Sequence, residues 1–371
     1  METDNTRSKQ NRTSALVSIA VFAILFILVL TALTYMIRPG GDTKNRFMGF
    51  YAEPENSLDI VMIGSSPTYS SIVMPELYGE YGIKAYPLAS NVQRPAAGRF
   101  LVKEAEKSQS PSLYMFEMRM YTGNEESLTL NMGYTREVTD NMKYSFNRIA
   151  AINELVHSKV YSEDCKRYTY YFDIFKYHEN WISLINLSQI KSFTYTVPDP
   201  YKGYKITDKV GPIETPPAPG NVSAGTLDPY QEKALNDLLD ELDGTGAKAL
   251  FYLAPFELKE GDAEKFEYIK ETVEARGYDY LDMNRYYDEI GIDFARDFSD
   301  YGIHTNAIGA KKCTEFMGEY LKSHYDIPDH RSDADQDGSW QRSYENWKEE
   351  YDQAVITIDE RIKNEDFFVL E

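Results

Sequence analysis

Apolar and polar positions follow three rhythms along this chain. From Ala15 to Ile37 the run ALVSIAVFAILFILVLTALTYMI carries no charge. About 20 apolar residues cross a bilayer as a helix, whereas a cleavable signal peptide has a core of about 7–15. Arg38, Pro39, Gly40 and Gly41 follow with no small-x-small cleavage site, so the run predicts an uncleaved, single-pass signal anchor. Arg7, Lys9 and Arg12 before it are nearly matched by Arg38, Lys44 and Arg46 after it, so the charge bias that orients such a helix is small. A short cytoplasmic tail with the bulk of the chain outside is the simpler arrangement.

The second rhythm is short continuous apolar runs. Leu58–Ile63 (LDIVMI), Lys84–Ala89 (KAYPLA), Leu113–Met118 (LYMFEM), Ala247–Ala254 (AKALFYLA) and Tyr278–Met283 read as strands buried on both faces of a parallel sheet. Between them runs the third rhythm, the helical stripe. It covers Pro75–Tyr81, Pro95–Lys107 (Phe100, Leu101, Ala105), Asp228–Leu242 (Leu235, Leu238, Leu239, Leu242), Ala263–Ala275 and Ala307–His324. Strand–helix alternation predicts an α/β fold, a parallel sheet flanked by helices on both faces.

The alternation lapses between Met120 and Thr226. Met142–Leu187 is helix-like and rich in Tyr, and 197–224 is rich in Pro and Gly. This stretch is an insertion, either shaping a binding site at the sheet edge or decorating the fold. The expected division is a cytoplasmic tail (1–14), the anchor (15–37), a linker (38–56), the α/β domain (57–325, insertion at about 120–226) and a C-terminal extension (326–371). That extension has 14 acidic and 5 basic residues, yet Trp340, Trp347, Phe367 and Phe368 predict that it packs back on the domain.

Charge narrows the function. With 39 Lys and Arg against 59 Asp and Glu, the net charge is −20. That disfavours nucleic-acid binding and electrostatic adhesion to anionic lipid. Two cysteines, Cys165 and Cys313, are too few for a disulfide framework or a Cys-based zinc site; Cys313 reads as a small core residue. The 30 tyrosines suit a polysaccharide cleft or half-wet surfaces. Asp333-Ala-Asp335-Gln-Asp337-Gly338 resembles the first half of an EF-hand loop, but Tyr344 stands where calcium needs a bidentate Glu. No metal or organic cofactor is expected.

Candidate chemistry lies at the two ends of the domain. Gly64-Ser65-Ser66-Pro67 closes the first strand, at the carboxyl edge where α/β proteins place ligands. Asp300-Tyr-Gly-Ile-His304-Thr-Asn306-Ala-Ile-Gly309 precedes the last helix. A serine needs an adjacent base to become a nucleophile, usually a His oriented by a carboxylate. The bland alternatives are that Ser66 caps the next helix and that His304 is satisfied by backbone.

These blocks resemble the SGNH/GDSL hydrolase family. LDIVMIGSSPTYSS is similar to its first block, with Ser66 in the nucleophile's place and Ser65 where Asp is frequent. DYGIHTNAIGAKKCTEFMGEYL is similar to its last, with His304 as base. YPLASNVQ (Tyr86–Gln93) and LYMFEMR (Leu113–Arg119) fall where the middle blocks would. The acid's usual place, three residues before the His, holds Tyr301; Asp300 is the candidate, Asp297 the reserve. The oxyanion donors implied are backbone N–H groups at Ser66 and at Ser90, the second block's usual Gly falling on Ala89 or Ser90, with Asn91 as a side-chain candidate. The rival α/β-hydrolase elbow needs the N–H of the residue after the nucleophile, which Pro67 lacks.

The layout resembles membrane-anchored envelope members, similar to teichoic-acid D-alanyl-transfer proteins and to the SGNH partners of membrane-bound O-acyltransferases. The resemblance implies a three-layer α/β/α sandwich and a serine esterase or acyltransferase acting outside the cytoplasm. Its substrate would be an acylated glycan or envelope polymer, with a membrane-bound O-acyltransferase as a partner. The alternative is a catalytically degenerate binding or scaffold protein.

Overall fold

A computed structural model describes residues 2–158, 166–185, 194–333 and 338–369, the side chains of 2–11 and 183–185 excepted. Cys165 and most of the EF-hand-like stretch lie outside the described residues.

Five parallel strands form one sheet in the order β2-β1-β3-β4-β5: β1 (Ile60–Gly64), β2 (Ala85–Ala89), β3 (Leu113–Glu117), β4 (Ala249–Leu253) and β5 (Asp279–Asp282). Every residue of β1 to β4 is buried, which is why these strands read as unbroken apolar runs. Successive side chains still go to opposite faces. Val61 and Ile63 of β1 join Phe116 and Phe251 beneath the helices Gly98–Ala105, Pro229–Thr245 and Asp262–Ala275. Ile60 and Met62 face the other way, toward Leu77 of the helix Met74–Tyr81 and Cys313, Met317 and Leu321 of the helix Ala307–His324. The result is three layers. The order reverses between β1 and β3, and that switch point is where doubly wound sheets bind ligands.

An N-terminal helix, Glu2–Ile37, contains the apolar run and is long and apolar enough to cross a membrane. The segment after this helix departs from the expected linker. Pro39 to Gly41 break the helix, but Asp42–Ala52 forms another, with Phe47 and Phe50 fully buried against Tyr86 and the core. The short interval between breaker and strand hid one apolar helix face.

The insertion is a string of short helices, among them Met132–Thr139 and Phe146–Val156, followed by a segment without helix or strand over 205–228. The extension folds back as a long helix, Ser339–Asn364, that buries Trp340, Trp347, Ala354 and Ile358. Its Tyr344 ring lies against Gly79 of Met74–Tyr81, too close for any side chain there.

Candidate functional site

Ser66 is placed by the end of β1. A Cβ on Gly64 would collide with Thr68 Oγ1 and come within 2.7 Å of Glu117 Cβ, so only glycine allows the chain to turn there. Ser65 is extended and buried, its Oγ donating to Glu117 Oε2 at 3.2 Å. Ser66 opens the short helix Ser66–Ser70, with Pro67 in the first turn where a missing N–H costs nothing. Its Oγ caps no backbone group; it lies 2.7 Å from His304 Nε2.

His304 sits on the returning arm of a tight loop. Phe298 and Thr305 pair as an antiparallel bridge, and the Ser299 N–H donates to His304 O at 2.8 Å. Tyr301 and Gly302 take left-handed backbone (φ 58 and 80) to reverse the chain. Three outside groups hold the loop: Tyr301 N–H donates to Gly211 O (2.9 Å), Glu257 N–H to Gly302 O (2.8 Å) and Arg119 Nη1 to Ile303 O (2.6 Å). Thr305 Oγ1 reaches Ser70 O (3.2 Å) and Ser71 Oγ (3.1 Å), fixing the loop to the far end of the serine's helix.

Because the loop curls, four residues of separation bring Asp300 onto the imidazole. Its Oδ2 lies 2.6 Å from His304 Nδ1, and its Oδ1 accepts from the His304 backbone N–H at 2.7 Å. An ionised carboxylate only accepts, so Nδ1 carries the proton and Nε2 faces Ser66 as an acceptor. The reserve acid, Asp297, is elsewhere: fully buried, its Oδ2 accepts from Lys312 Nζ (2.6 Å) and from the Asp293 N–H (2.8 Å). Burial raises the Asp297 pKa, and the Lys312 bond counters part of that rise. The Asn-x-x-Gly turn after His304 is structural. Asn306 caps the last helix by accepting from the Ile308 and Gly309 N–H groups, and Gly309 lies against Asp297 O where a Cβ would clash.

Gly64 and Ala89 are paired in register across β1 and β2, so Ser65 and Ser90 follow them out of the sheet level with each other, and Ser66 comes one residue later. Asn91 lines the same cleft as Ser66, but its donors are committed elsewhere. Its backbone N–H and its Nδ2 both end on Glu137 (3.0 and 2.9 Å), and its Oδ1 accepts from Tyr69. Asn91 is therefore tied to Glu137, not held out as a free side-chain donor. The next residue, Val92, is β-branched and left-handed (φ 43), an unfavourable conformation of the kind that structures retain at sites.

Three residues of the site escaped the sequence reading. Glu137 anchors Asn91 from the insertion. Glu117, fully buried, has its pKa raised by burial, with Arg119 and Ser65 opposing the rise. Arg119 lies with its guanidinium 4.0 Å from the Phe256 ring centroid; burial lowers its pKa, against the charges of Glu117 and Asp300. For Glu117 and Arg119 the signal was a polar residue at the end of a strand at the switch point; Glu137, inside a helix of the insertion, gave none.

Ser66, His304 and Asp300 line an open cleft of about 890 Å³. Tyr69 and Tyr134, the segment 205–209, and Glu350, Gln353, Thr357 and Phe368 of the extension form its walls. Phe368 is secured by its N–H to Val210 O (2.7 Å) and by Tyr301 Oη donating to its carbonyl. Among the described residues no group of three or more His, Cys, Asp or Glu is placed to hold a metal ion. The arrangement can do one thing well: move a proton from a serine hydroxyl to an oriented imidazole. No family model matches the chain, and no curated protein matches it.

Proposed function

We propose that the chain is a serine esterase or acyltransferase of the SGNH type. It is anchored by one membrane span and works outside the cytoplasm on acyl groups of envelope polymers or exported glycans. The observation that carries this reading is the hydrogen-bonded line from Ser66 Oγ through His304 to Asp300, opening into a ligand-sized cleft. Ser66 Oγ attacks the acyl carbonyl while His304 Nε2 takes its proton. The tetrahedral intermediate expels the alcohol, which leaves with that proton. Water or a sugar hydroxyl then attacks the acyl-serine, giving its proton to His304, and Ser66 recovers it as the acyl group departs. Backbone N–H groups of Ser66 and Ser90 serve as oxyanion donors, each worth ~3–4 kcal/mol in such sites.

The test is fluorophosphonate labelling of the full chain in membranes. Labelling that disappears in Ser66→Ala supports the reading; a wild-type chain that never labels favours a non-catalytic scaffold. For topology, a reporter fused after Glu371 is expected to be active only in its exported form.

A further inference from the structure

The apolar helix does not stand clear of the domain. Its large apolar side chains from Leu16 to Leu33 are exposed, whereas Thr34, Tyr35, Ile37 and Arg38 are buried in protein. The last turn is held from several sides. Arg38 Nε donates to the fully buried Asp173 at 2.6 Å, Asn180 Nδ2 donates to Ile37 O at 3.3 Å, and the Tyr35 and Tyr144 rings meet at 6.0 Å. Lys44 Nζ reaches back to Tyr35 O and Arg38 O (3.2 and 3.1 Å), and its burial pushes the ammonium pKa down to about 8.

This embedding sets a length. At about 1.5 Å per residue, Ala15–Leu33 spans ~28 Å, against a hydrocarbon core of about 30 Å. If that run crosses the bilayer, no slack separates the domain from the membrane surface. The parts of the insertion that grip the last turn must then lie at interfacial depth.

Those same parts expose apolar side chains. Phe146 and Ile149 are 92% and 45% exposed on the helix that follows Tyr144. Phe172 and Phe175 (61% and 59%) flank Asp173, and Trp181 and Ile182 (63% and 66%) follow Asn180. In water such a patch is costly, and apolar surfaces of this kind mark interaction sites. Aromatic side chains are favoured where bilayer meets water.

We propose that these six side chains form a collar seated in the interfacial layer of the bilayer that the anchor crosses. The collar rests on the reading of 15–37 as a membrane span. The contact is apolar and aromatic, as its side chains are, and a net charge of −20 disfavours adhesion to anionic headgroups. A zwitterionic lipid surface suffices.

The three tryptophans make the test selective. Trp340 and Trp347 are each 2% exposed, so Trp181 is the one that lipid can reach. The full chain is placed in phosphatidylcholine vesicles carrying a nitroxide either near the headgroup end or deep in the acyl chain, and tryptophan emission is recorded. The expected result is strong quenching by the shallow probe, at least about two-fold greater than by the deep one, and its loss in Trp181→Phe. Carbonate washing of the same vesicles reports the anchor separately. A chain that stays in washed vesicles with Trp181 unquenched overturns the collar and leaves the face to an integral-membrane protein. A chain that washes out overturns the span and the collar together.

Discussion

Asp300 grips His304 at two points, the ring Nδ1 by one carboxylate oxygen (2.6 Å) and the backbone N–H by the other (2.7 Å). One side chain thus sets both the loop's shape and the imidazole's orientation. The left-handed pair Tyr301 and Gly302 makes the four-residue spacing workable.

Asp300→Asn is expected to cut turnover of a chromogenic acyl ester by at least ~100-fold, since an amide favours the wrong imidazole tautomer and cannot stabilise the imidazolium. The thermal melt should change little. Turnover equal to wild type would reduce the site to a Ser–His dyad.

Asp297→Asn should show the opposite pattern. Its carboxylate is buried against Lys312 and the Asp293 N–H and makes no bond to His304, so turnover per folded molecule stays near wild type. Weakening the Lys312 bond costs on the order of 2 kcal/mol, seen as a lower melting temperature. A large loss of turnover with an unchanged melt would reverse the assignment of the two acids.

Ser66→Ala and Ser65→Ala test the register of the nucleophile. Ser66→Ala is expected to abolish fluorophosphonate labelling. Ser65→Ala should retain much of it while lowering stability by about 1 kcal/mol, through the lost bond to Glu117. Labelling lost in Ser65→Ala and kept in Ser66→Ala would shift the nucleophile by one residue.

Lys202 and Glu53 form a fully buried ion pair at 2.7 Å, with Ser339 and Trp340 bonded to the same charges. Lys202→Met removes the cationic partner of the buried Glu53 carboxylate and is expected to destabilise the chain by ~3–5 kcal/mol. Adding Glu53→Gln should restore most of the melting temperature. A double variant no better than the single one would refute the charge argument.

His330 bridges Asp59, beside β1, and Asp333 of the extension (2.9 and 2.5 Å). Burial pulls its pKa down, but the bonds to Asp333 and Asp59 outweigh burial and raise it above 6.5. A raised histidine contributes fully below its unfolded value and loses that contribution as pH climbs through the folded one. Melting of wild type should therefore fall relative to His330→Ala as pH rises from about 6 to about 8. Parallel curves would remove His330 from the account.

The strands were legible because burial on both faces leaves an unambiguous apolar signature, and Ser66 and His304 because each follows a strand or precedes a helix in a distinctive turn. The helix Asp42–Ala52 was not legible: three breakers precede it, and its apolar face shows only once β2 lies beneath it. Asn91 looked available because its partner, Glu137, lies 46 residues away. Spacing of that kind carries no local periodicity, and neither does the 52-residue gap between Ser65 and Glu117.

The cleft is assembled from distant parts of the chain. Ser66 and His304 are 238 residues apart, and the wall closing the cleft comes from Glu350 to Phe368. If the chain is exported from its anchored end, as proposed, the serine arrives long before its base, and the base before the wall. On that reading, acyl chemistry could not begin on a chain in transit: whatever reached Ser66 first would meet an unactivated hydroxyl. Completion of export would itself be the step that switches the site on.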